Sequence, residues 1–130
     1  MNKLFWKNKK ILVTGDTGFK GAWISLILAQ AGAKIQGFSS SAFHDNAQLY
    51  ESLNINKISN TIDGDIRDEK AIQKVFNDFQ PECVFHLAAQ PLVRDSYINP
   101  VSTYDINVMG TINILEAIRS SNSVKAAVMV

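Results

Sequence analysis

Three glycines at three-residue spacing are the residues of this chain best suited to bind a phosphate. Gly15, Gly18 and Gly21 lie in the segment GDTGFKG, between apolar runs at 11–13 and 23–31. A strand, a glycine loop and a helix in this order bring backbone N–H groups and the positive helix end to one point. We interpret Gly15 as turning the chain, Gly18 as leaving room for a ligand and Gly21 as letting the helix approach the strand. The spacing is one residue longer than the common G-x-G-x-x-G and predicts a dinucleotide phosphate site.

Strand-like and helix-like segments alternate along the chain, as a phosphate site of this kind requires. Strands are predicted over 10–14, 34–38, 59–62, 83–88 and 124–130, and helices over 19–31, 47–53, 69–79 and 100–120, with a polar loop over 39–46. Gly32 is expected to end the first helix, Asp68 to cap the third, and Asn99 to cap the last with Pro100 at its first position. The apolar residues noted in the last helix include Val101, Tyr104, Val108, Ile112, Leu115 and Ile118.

The alternation predicts an α/β fold. Strands that are apolar on both faces suit a parallel sheet covered by helices on both sides. Right-handed crossovers then favour a doubly wound, Rossmann-like sheet with strand order 3-2-1-4-5. The sequence ends within the apolar run 126–130. We therefore expect residues 1–130 to be a dinucleotide-binding domain truncated in strand five, with the substrate domain absent. The alternative is a complete five-stranded domain.

Composition limits the class of protein. The chain has 130 residues, 46% of them hydrophobic and 19% charged, which is ordinary for one globular domain. A net charge of +1 argues against binding to nucleic acid or to a membrane surface. The one cysteine, Cys83, indicates a reducing compartment, and no run is apolar enough to span a bilayer. We expect a cytoplasmic protein, and we predict no metal site.

Four motifs occur along the chain in the order of a known superfamily: GDTGFKG at 15–21, GDIRD at 64–68, FHLAAQ at 85–90 and NVMGT at 107–111. This set resembles the extended short-chain dehydrogenase/reductase superfamily, and within it the NAD-dependent epimerase/dehydratase family. Three shorter stretches, FWK at 5–7, GFKG at 18–21 and AQPLVR at 89–94, are similar to the CDP-glucose 4,6-dehydratases of that family.

The resemblance implies an NAD-dependent lyase that acts on a nucleotide-linked hexose. The sugar is oxidised at C4, loses water across C5–C6 and receives the hydride back at C6. In the family the base is a tyrosine four residues before a lysine, with Ser or Thr nearby. Tyr97 and Tyr104 have Val101 and Val108 at that position. We therefore assign no catalytic residue to this chain, expect those residues after Val130, and expect the 130 residues alone to be inactive.

The resemblance and the glycine loop together give the candidate site residues. The predicted cofactor-binding residues are Gly15, Thr17, Gly18, Phe19, Lys20, Gly21, Ser39, Asp65, Ile66, Leu87, Ala88, Ala89, Gln90 and Asn107. By resemblance, Asp65 bonds the adenine amino group and Ile66 packs on the ring, whereas a capping loop aspartate is the alternative for Asp65. Gln90 and Arg94 are candidates for contact with substrate, with an exposed arginine as the alternative for Arg94.

Four side chains receive a structural interpretation from the residues themselves. Phe19 and Trp23 are aromatic residues of the kind more often found packed in a core than touching a ligand. His86 lies in an apolar strand and is expected to be a core histidine with satisfied hydrogen bonds. Asn107 is expected to bond the backbone near the glycine loop or strand four.

The residues at the end of strand two do not decide between NAD and NADP as the cofactor. NAD enzymes commonly carry Asp or Glu there to hold the adenosine ribose, but this chain has Ser39, Ser40 and Ser41, and no arginine for a 2′-phosphate. The choice of NAD therefore rests on the resemblance. The resemblance also implies a nucleotide-sugar substrate and, by analogy, a homodimer formed through the 100–120 helix. The alternatives are another nucleotide-sugar epimerase or dehydratase, or a dinucleotide-binding module without catalysis.

Overall fold

Five parallel strands form one sheet in the computed structural model, which describes residues 2–41 and 47–130. The strands are β1 (Lys10–Thr14), β2 (Lys34–Ser39), β3 (Ser59–Asp63), β4 (Cys83–His86) and β5 (Ala126–Met129). Their spatial order is β3-β2-β1-β4-β5, which confirms the predicted doubly wound, Rossmann-like sheet. In the register, Val13 of β1 lies between Gly37 of β2 and Phe85 of β4, and Ser39 pairs with Asp63.

Seven α-helices occur in the described parts of the chain. They are α1 (Lys3–Trp6), α2 (Phe19–Gln30), α3 (Ala47–Ser52), α4 (Glu69–Phe79), α5 (Val93–Ile98), α6 (Pro100–Tyr104) and α7 (Gly110–Ser120). A 3₁₀ turn, Ile55–Lys57, precedes β3, and a π-helical turn, Asp105–Met109, joins α6 to α7. Over the ranges described, no helix combines the length and apolarity needed to cross a bilayer. Residues 42–46 of the predicted polar loop lie outside the described residues.

Two helix ends show how local sequence sets the element bounds. The Asp68 carboxylate accepts hydrogen bonds from the N–H groups of Lys70 (3.0 Å) and Ala71 (3.1 Å), so it caps α4 as predicted. Gly32 follows α2 with φ +90°, and the Ala33 N–H donates to Leu28 O at 3.1 Å. This left-handed turn satisfies carbonyls that would otherwise be unpaired at the end of α2.

The sheet is covered on both faces, which explains why residues 11–13 in the middle of its central strand, β1, are apolar. On one face Leu12 packs in a core with residues of α4 and α7 such as Ile72 and Ile114. On the other face Ile11 and Val13 pack with residues that include Leu28 of α2. Successive side chains of β1 thus point to opposite cores, as in parallel sheets with helices on both sides.

Two predicted strands are shorter in the structure. β4 was expected to reach Ala88 but ends at His86, because its partner β1 ends at Thr14 and offers no further ladder. The Leu87 and Ala88 N–H groups instead lie 3.2 and 3.3 Å from the Thr14 hydroxyl oxygen. β5 begins at Ala126 rather than at residue 124, and it is as long as the part of β4 that pairs with it.

The segment after β4 contains more helix than the sequence predicted. α5 was not predicted, and Asn99 occupies the cap position of α6 without a capping side-chain bond. The predicted 100–120 helix is present as α6, the π-helical turn and α7. Most of its apolar side chains face outward: Val101, Tyr104, Val108, Ile112 and Leu115 are exposed. The core-facing residues of this segment are Ile106, Ile114 and Ala117.

Candidate functional site

A cleft of about 500 Å³ runs along the carboxyl-terminal edge of the sheet. Every residue predicted to bind cofactor except Asn107 lies in its lining. The lining also contains residues that sequence reasoning did not assign to a site: Ser40, Gly64, Pro91, Leu92, Asp95, Ile106 and Val130. The cleft thus brings together the glycine loop, the end of β2, the segment after β3 and the segment after β4. Such an edge is the usual ligand site of doubly wound sheets.

The glycine loop is packed so tightly that side chains would not fit at two of its positions. Gly15 has φ +73°, and a Cβ there would lie 2.7 Å from the backbone nitrogen of Ala88. A Cβ on Gly21 would lie 2.0 Å from Gly15 O. The loop therefore rests on the segment after β4, and α2 rests on the loop. This arrangement directs the N-terminal end of α2, with its unpaired N–H groups and partial positive charge, towards the cleft.

A buried carboxylate lies beneath the glycine loop. Asp16 is fully buried, and its side chain occupies the space that a side chain at Gly37 of β2 would need. Three hydroxyls donate to it: Ser39 at 2.6 Å, Thr61 at 2.5 Å and Ser59 at 3.4 Å. Among the described residues no lysine or arginine pairs with this carboxylate. Burial raises the pKa of Asp16, and the hydroxyl hydrogen bonds oppose that shift.

The Asp16 cluster fixes the hydroxyl of Ser39, which lines the cleft. The Ser39 hydroxyl donates a hydrogen bond to Asp16 Oδ1 and accepts one from the Thr17 N–H at 3.3 Å. A serine hydroxyl has one proton, so Ser39 has none left for a ligand. The predicted Ser39 contact with cofactor could therefore use only its remaining acceptor capacity.

Asp65, in the cleft after β3, is paired with an arginine. Arg67 donates to both Asp65 oxygens, from Nε at 3.0 Å and from Nη2 at 2.6 Å, and its Nη1 reaches Asp105 at 3.1 Å. The hydrogen bonds from Arg67 lower the pKa of Asp65. The carboxylate stays ionised at neutral pH, and its Oδ1 also accepts the Arg67 backbone N–H at 2.9 Å, the turn-capping bond of the alternative interpretation. Ile66 beside it is buried and packs against Gly110.

On the β4 side, His86 is held between two threonines. Its Nδ1 lies 2.7 Å from Thr14 Oγ1, and its Nε2 lies 3.0 Å from Thr111 Oγ1. Thr111 donates its proton to Asn107 O at 2.7 Å, so it accepts from Nε2–H. Thr14 accordingly donates to Nδ1. Burial lowers the pKa of His86, so the ring is neutral, and both of its nitrogens are satisfied within the fold.

Asn107 braces the cleft from behind rather than lining it. Its Oδ1 accepts the Gln90 N–H at 2.7 Å, and its Nδ2 donates to Gln90 O at 3.1 Å. The side-chain Nε2 of Gln90 in turn donates to Thr103 Oγ1 at 3.1 Å and to Leu92 O at 3.3 Å. These bonds set the shape of the 90–92 loop, which forms one wall of the cleft.

Two aromatic side chains lie differently from what their residue types suggested, whereas Arg94 lies as its alternative interpretation, an exposed arginine, predicted. Phe19 and Trp23, of the kind more often packed in cores, are 61% and 42% exposed, because the outer face of α2 carries them. Phe19 lines the cleft. Arg94 lies in the first turn of α5, exposed and outside the cleft lining.

The residues of the lining that were not predicted fall into two groups, one with a weak signal in the sequence and one with none. Pro91 and Leu92 follow the predicted Leu87–Gln90 segment directly, so their place in the lining follows from continuity of the chain. Asp95 and Ile106 come from helices that turn back over the cleft, and only the three-dimensional path of the chain places them there. No group of three or more potential metal ligands occurs within residues 2–41 and 47–130.

The fold and the cleft define the class of protein: a Rossmann-like α/β domain with its ligand site at the carboxyl edge of the sheet. Residues 12–130 match the family model described as GDP-mannose 4,6 dehydratase. The chain belongs to that family.

Individual relatives agree with the family. The chain is 44% identical to a CDP-glucose 4,6-dehydratase of Salmonella typhimurium, over 98% of this chain and 35% of the relative. It is 32% identical to a GDP-mannose 4,6-dehydratase of Vibrio cholerae, over 85% of this chain and 31% of the relative. The chain thus spans about a third of the length of the relatives it matches.

A solved structure has the same fold. A UDP-glucose-4-epimerase from Stenotrophomonas maltophila, with bound NAD and formylated UDP-arabinopyranose, superimposes with a TM-score of 0.82 at 27% identity. The match covers 94% of this chain and 36% of the epimerase chain.

Proposed function

We propose that this chain is the NAD-binding part of a nucleotide-sugar 4,6-dehydratase that converts CDP-glucose to CDP-4-keto-6-deoxyglucose. The observation that carries the proposal is the cleft, where thirteen of the fourteen residues predicted to bind cofactor line one cavity of about 500 Å³. That volume lies within the range of roughly 300–1,000 Å³ common for small-molecule sites. The solved UDP-glucose-4-epimerase with bound NAD supports the choice of cofactor.

The residues of the cleft fit a dinucleotide in their chemistry. The glycine loop and the N-terminal end of α2 offer backbone donors to a pyrophosphate, and Lys20 is the cation of the lining. Asp65 and Ile66 offer an acceptor and an apolar surface to an adenine. Ala88 and Ala89 have small side chains, which would let the ribose and pyrophosphate lie against the backbone beside the loop. When bound, NAD would supply hydride acceptance from the sugar and hydride return to it.

The choice of CDP-glucose rests on similarity and remains the finer part of the proposal. The 44% identity to a CDP-glucose 4,6-dehydratase supports it, as does the AQPLVR stretch at 89–94. Gln90 and Arg94 are the side chains of this stretch that we propose for substrate, with Arg94 suited to an oxyanion. Because Arg94 lies outside the lining, this role requires the substrate to extend beyond the cleft towards α5.

Dinucleotide binding and turnover test the two levels of the proposal separately. Isothermal titration of the full-length protein with NAD should give saturable binding. Incubation of the NAD-loaded protein with CDP-glucose, dTDP-glucose and UDP-glucose should give a 4-keto-6-deoxy product fastest from CDP-glucose. Faster turnover of another nucleotide sugar would remove the CDP assignment, and binding without turnover of any of the three would favour a non-catalytic dinucleotide-binding module.

Assembly and the rest of the protein are also proposals. We propose that the remaining two-thirds of the relatives' length corresponds to a substrate domain packed against β5, whose residues are all exposed. The exposed apolar side chains of the 100–120 segment support a homodimer formed through that helix. Light scattering of the full-length protein tests the dimer. We also propose a cytoplasmic protein, which the single cysteine, Cys83, supports. The net charge of +1 supports a protein that binds neither nucleic acid nor membrane.

A further inference from the structure

The cleft as described leaves unexplained how the protein would distinguish NAD from NADP. The two cofactors differ by a phosphate on the adenosine ribose, which in doubly wound sheets lies near the end of β2. NAD enzymes commonly place an acidic residue there, whereas β2 here ends in Ser39. The Ser39 hydroxyl already donates its hydrogen bond to Asp16. It therefore cannot distinguish NAD from NADP by donating to the ribose.

An acidic residue reaches this position from the neighbouring strand. Asp63 is the last residue of β3 and pairs in register with Ser39. The next residue, Gly64, lines the cleft and donates its N–H to Ser39 O at 3.0 Å. Asp63 therefore lies at the rim of the cleft, directly beside the end of β2.

The Asp63 carboxylate already occupies the donors that an added phosphate would use. It accepts the Ser41 N–H at 2.7 Å and the Ser41 hydroxyl at 2.8 Å, one on each oxygen. A backbone N–H and a hydroxyl that point to the same anion form a charge-assisted donor pair of the kind that binds phosphate oxygens. In the lining described, the cation is Lys20 of the glycine loop, not a residue at the β2 end.

We propose that Asp63 sets the preference for NAD over NADP, an inference that rests on the proposed NAD-binding function. Its carboxylate fills the anion-binding donors of Ser41, and its negative charge repels a second anion at the same rim. A phosphate on the ribose would have to displace Asp63 from Ser41 and then lie beside it. The ribose of NAD, which carries hydroxyls only, meets neither obstacle.

Titration of both dinucleotides into the full-length protein tests the proposal. The wild type should bind NAD about tenfold or more tightly than NADP. Asp63→Ala, which frees the Ser41 donors and removes the charge, should strengthen NADP binding about tenfold and change NAD binding much less. Asp63→Asn should act in the same direction but less, because the amide oxygen can still accept the Ser41 N–H. Both variants alter an exposed side chain, and circular dichroism verifies that they fold.

A matched control separates the local effect from overall charge. Asp78→Asn makes the same charge change on the exposed face of α4, where Asp78 pairs with Lys74, and should leave the NAD-to-NADP ratio unaltered. Three results would overturn the role of Asp63. The wild type could prefer NADP, the NAD-to-NADP affinity ratio could be unchanged in both Asp63 variants, or that ratio could shift equally in Asp78→Asn. In each case NAD binding by the wild type would leave the proposed function standing. A protein that binds neither dinucleotide would remove both.

Discussion

The two halves of the cleft are built from different kinds of polar interaction. Beneath the glycine loop, β2 and β3 close around the Asp16 carboxylate, a buried anion held only by hydroxyls among the described residues. On the β4 side, a chain of neutral groups runs from Thr14 through His86 to Thr111 and Asn107. Gly15 is the point where the two halves touch. The comparison teaches that one wall of a site can be built around a buried carboxylate and the other from neutral groups alone.

The two halves should respond to pH with opposite sign. Burial raises the pKa of Asp16, so the folded state holds its proton longer than the unfolded state. The free energy of unfolding therefore falls as pH rises from the ordinary value of 3.8 towards the folded pKa. Burial lowers the pKa of His86. The free energy of unfolding then falls as pH drops below the ordinary 6.5 towards the folded pKa, because the unfolded state takes up the proton first.

The largest effect is expected where the halves meet. Gly15→Ala places a Cβ against the backbone of Ala88 at a φ of +73°, so the loop must move away from β4. We expect a loss of about 3 kcal/mol in the free energy of unfolding, from left-handed strain and overpacking together, and a marked loss of NAD affinity. Urea unfolding and titration calorimetry measure the two losses.

Gly32→Ala is the matched control, because Gly32 has φ +90° but its added Cβ would make ordinary contacts of 3.4 Å or more. It should cost roughly 1 kcal/mol, the strain alone, without affecting NAD binding. Equal losses in the two variants would mean that the contact with Ala88 contributes nothing.

A substitution at Asp16 should disrupt the half with the buried carboxylate and leave the β4 side unchanged. Asp16→Ala leaves the hydroxyls of Ser39 and Thr61 without their acceptor, at a cost of about 1–3 kcal/mol in the free energy of unfolding. Asp16→Asn should cost less than about 1 kcal/mol, because rotating hydroxyls can pair with an amide. Urea unfolding at pH 7 compares the two. A loss as large for Asn as for Ala would show that the negative charge itself holds this half together.

The smallest effect on the free energy of unfolding is expected from the neutral half, and it should be seen only as a change of stability with pH. Between pH 7.5 and 5.5 the wild type should lose stability by up to about 1 kcal/mol, as a buried neutral histidine requires. His86→Gln, which cannot titrate, should lose this slope while keeping an amide donor and acceptor. Thermal unfolding across the range gives the slope. His44→Gln reports the contribution of the other histidine, and a slope retained in His86→Gln would contradict a neutral buried ring.

Sequence predicted best the features that depend on neighbouring residues. The bounds of β1 and α4, the cap at Asp68 and the left-handed Gly32 all follow from patterns a few residues long. The strand order also followed, because crossover handedness leaves few alternatives. Most of the cleft lining was predicted for the same reason, since parallel strands deliver their following loops to one edge.

What sequence could not predict depends on elements that meet only in the folded chain. Asp16 is buried because Gly37 of β2 and Ser59 and Thr61 of β3 surround it. The residues next to Asp16 in the sequence do not indicate how β2 and β3 pair, so its burial could not be predicted. The end of β4 depends on where β1 ends.

Which side of the 100–120 segment faces the core depends on its packing partners, since Ile114 and Ala117 lie in one cluster with Ile72 of α4 and Leu12 of β1. The sequence also predicted a continuous helix where the structure has the π-helical turn Asp105–Met109.

That turn amounts to a one-residue insertion carried inside a helix. In an α-helix with 3.6 residues per turn, one extra residue rotates everything beyond it by about 100°. The wide turn Asp105–Met109 absorbs the extra residue locally, so Asn107 can face Gln90 while Ile114 and Ala117, further along, still face the core. In genetic terms, losing a single codon within 105–109 would restore a plain α-helix in which α6 and α7 keep their phase, so the disturbance would fall on the cleft wall that Asn107 holds at Gln90 and not on the core face of α7.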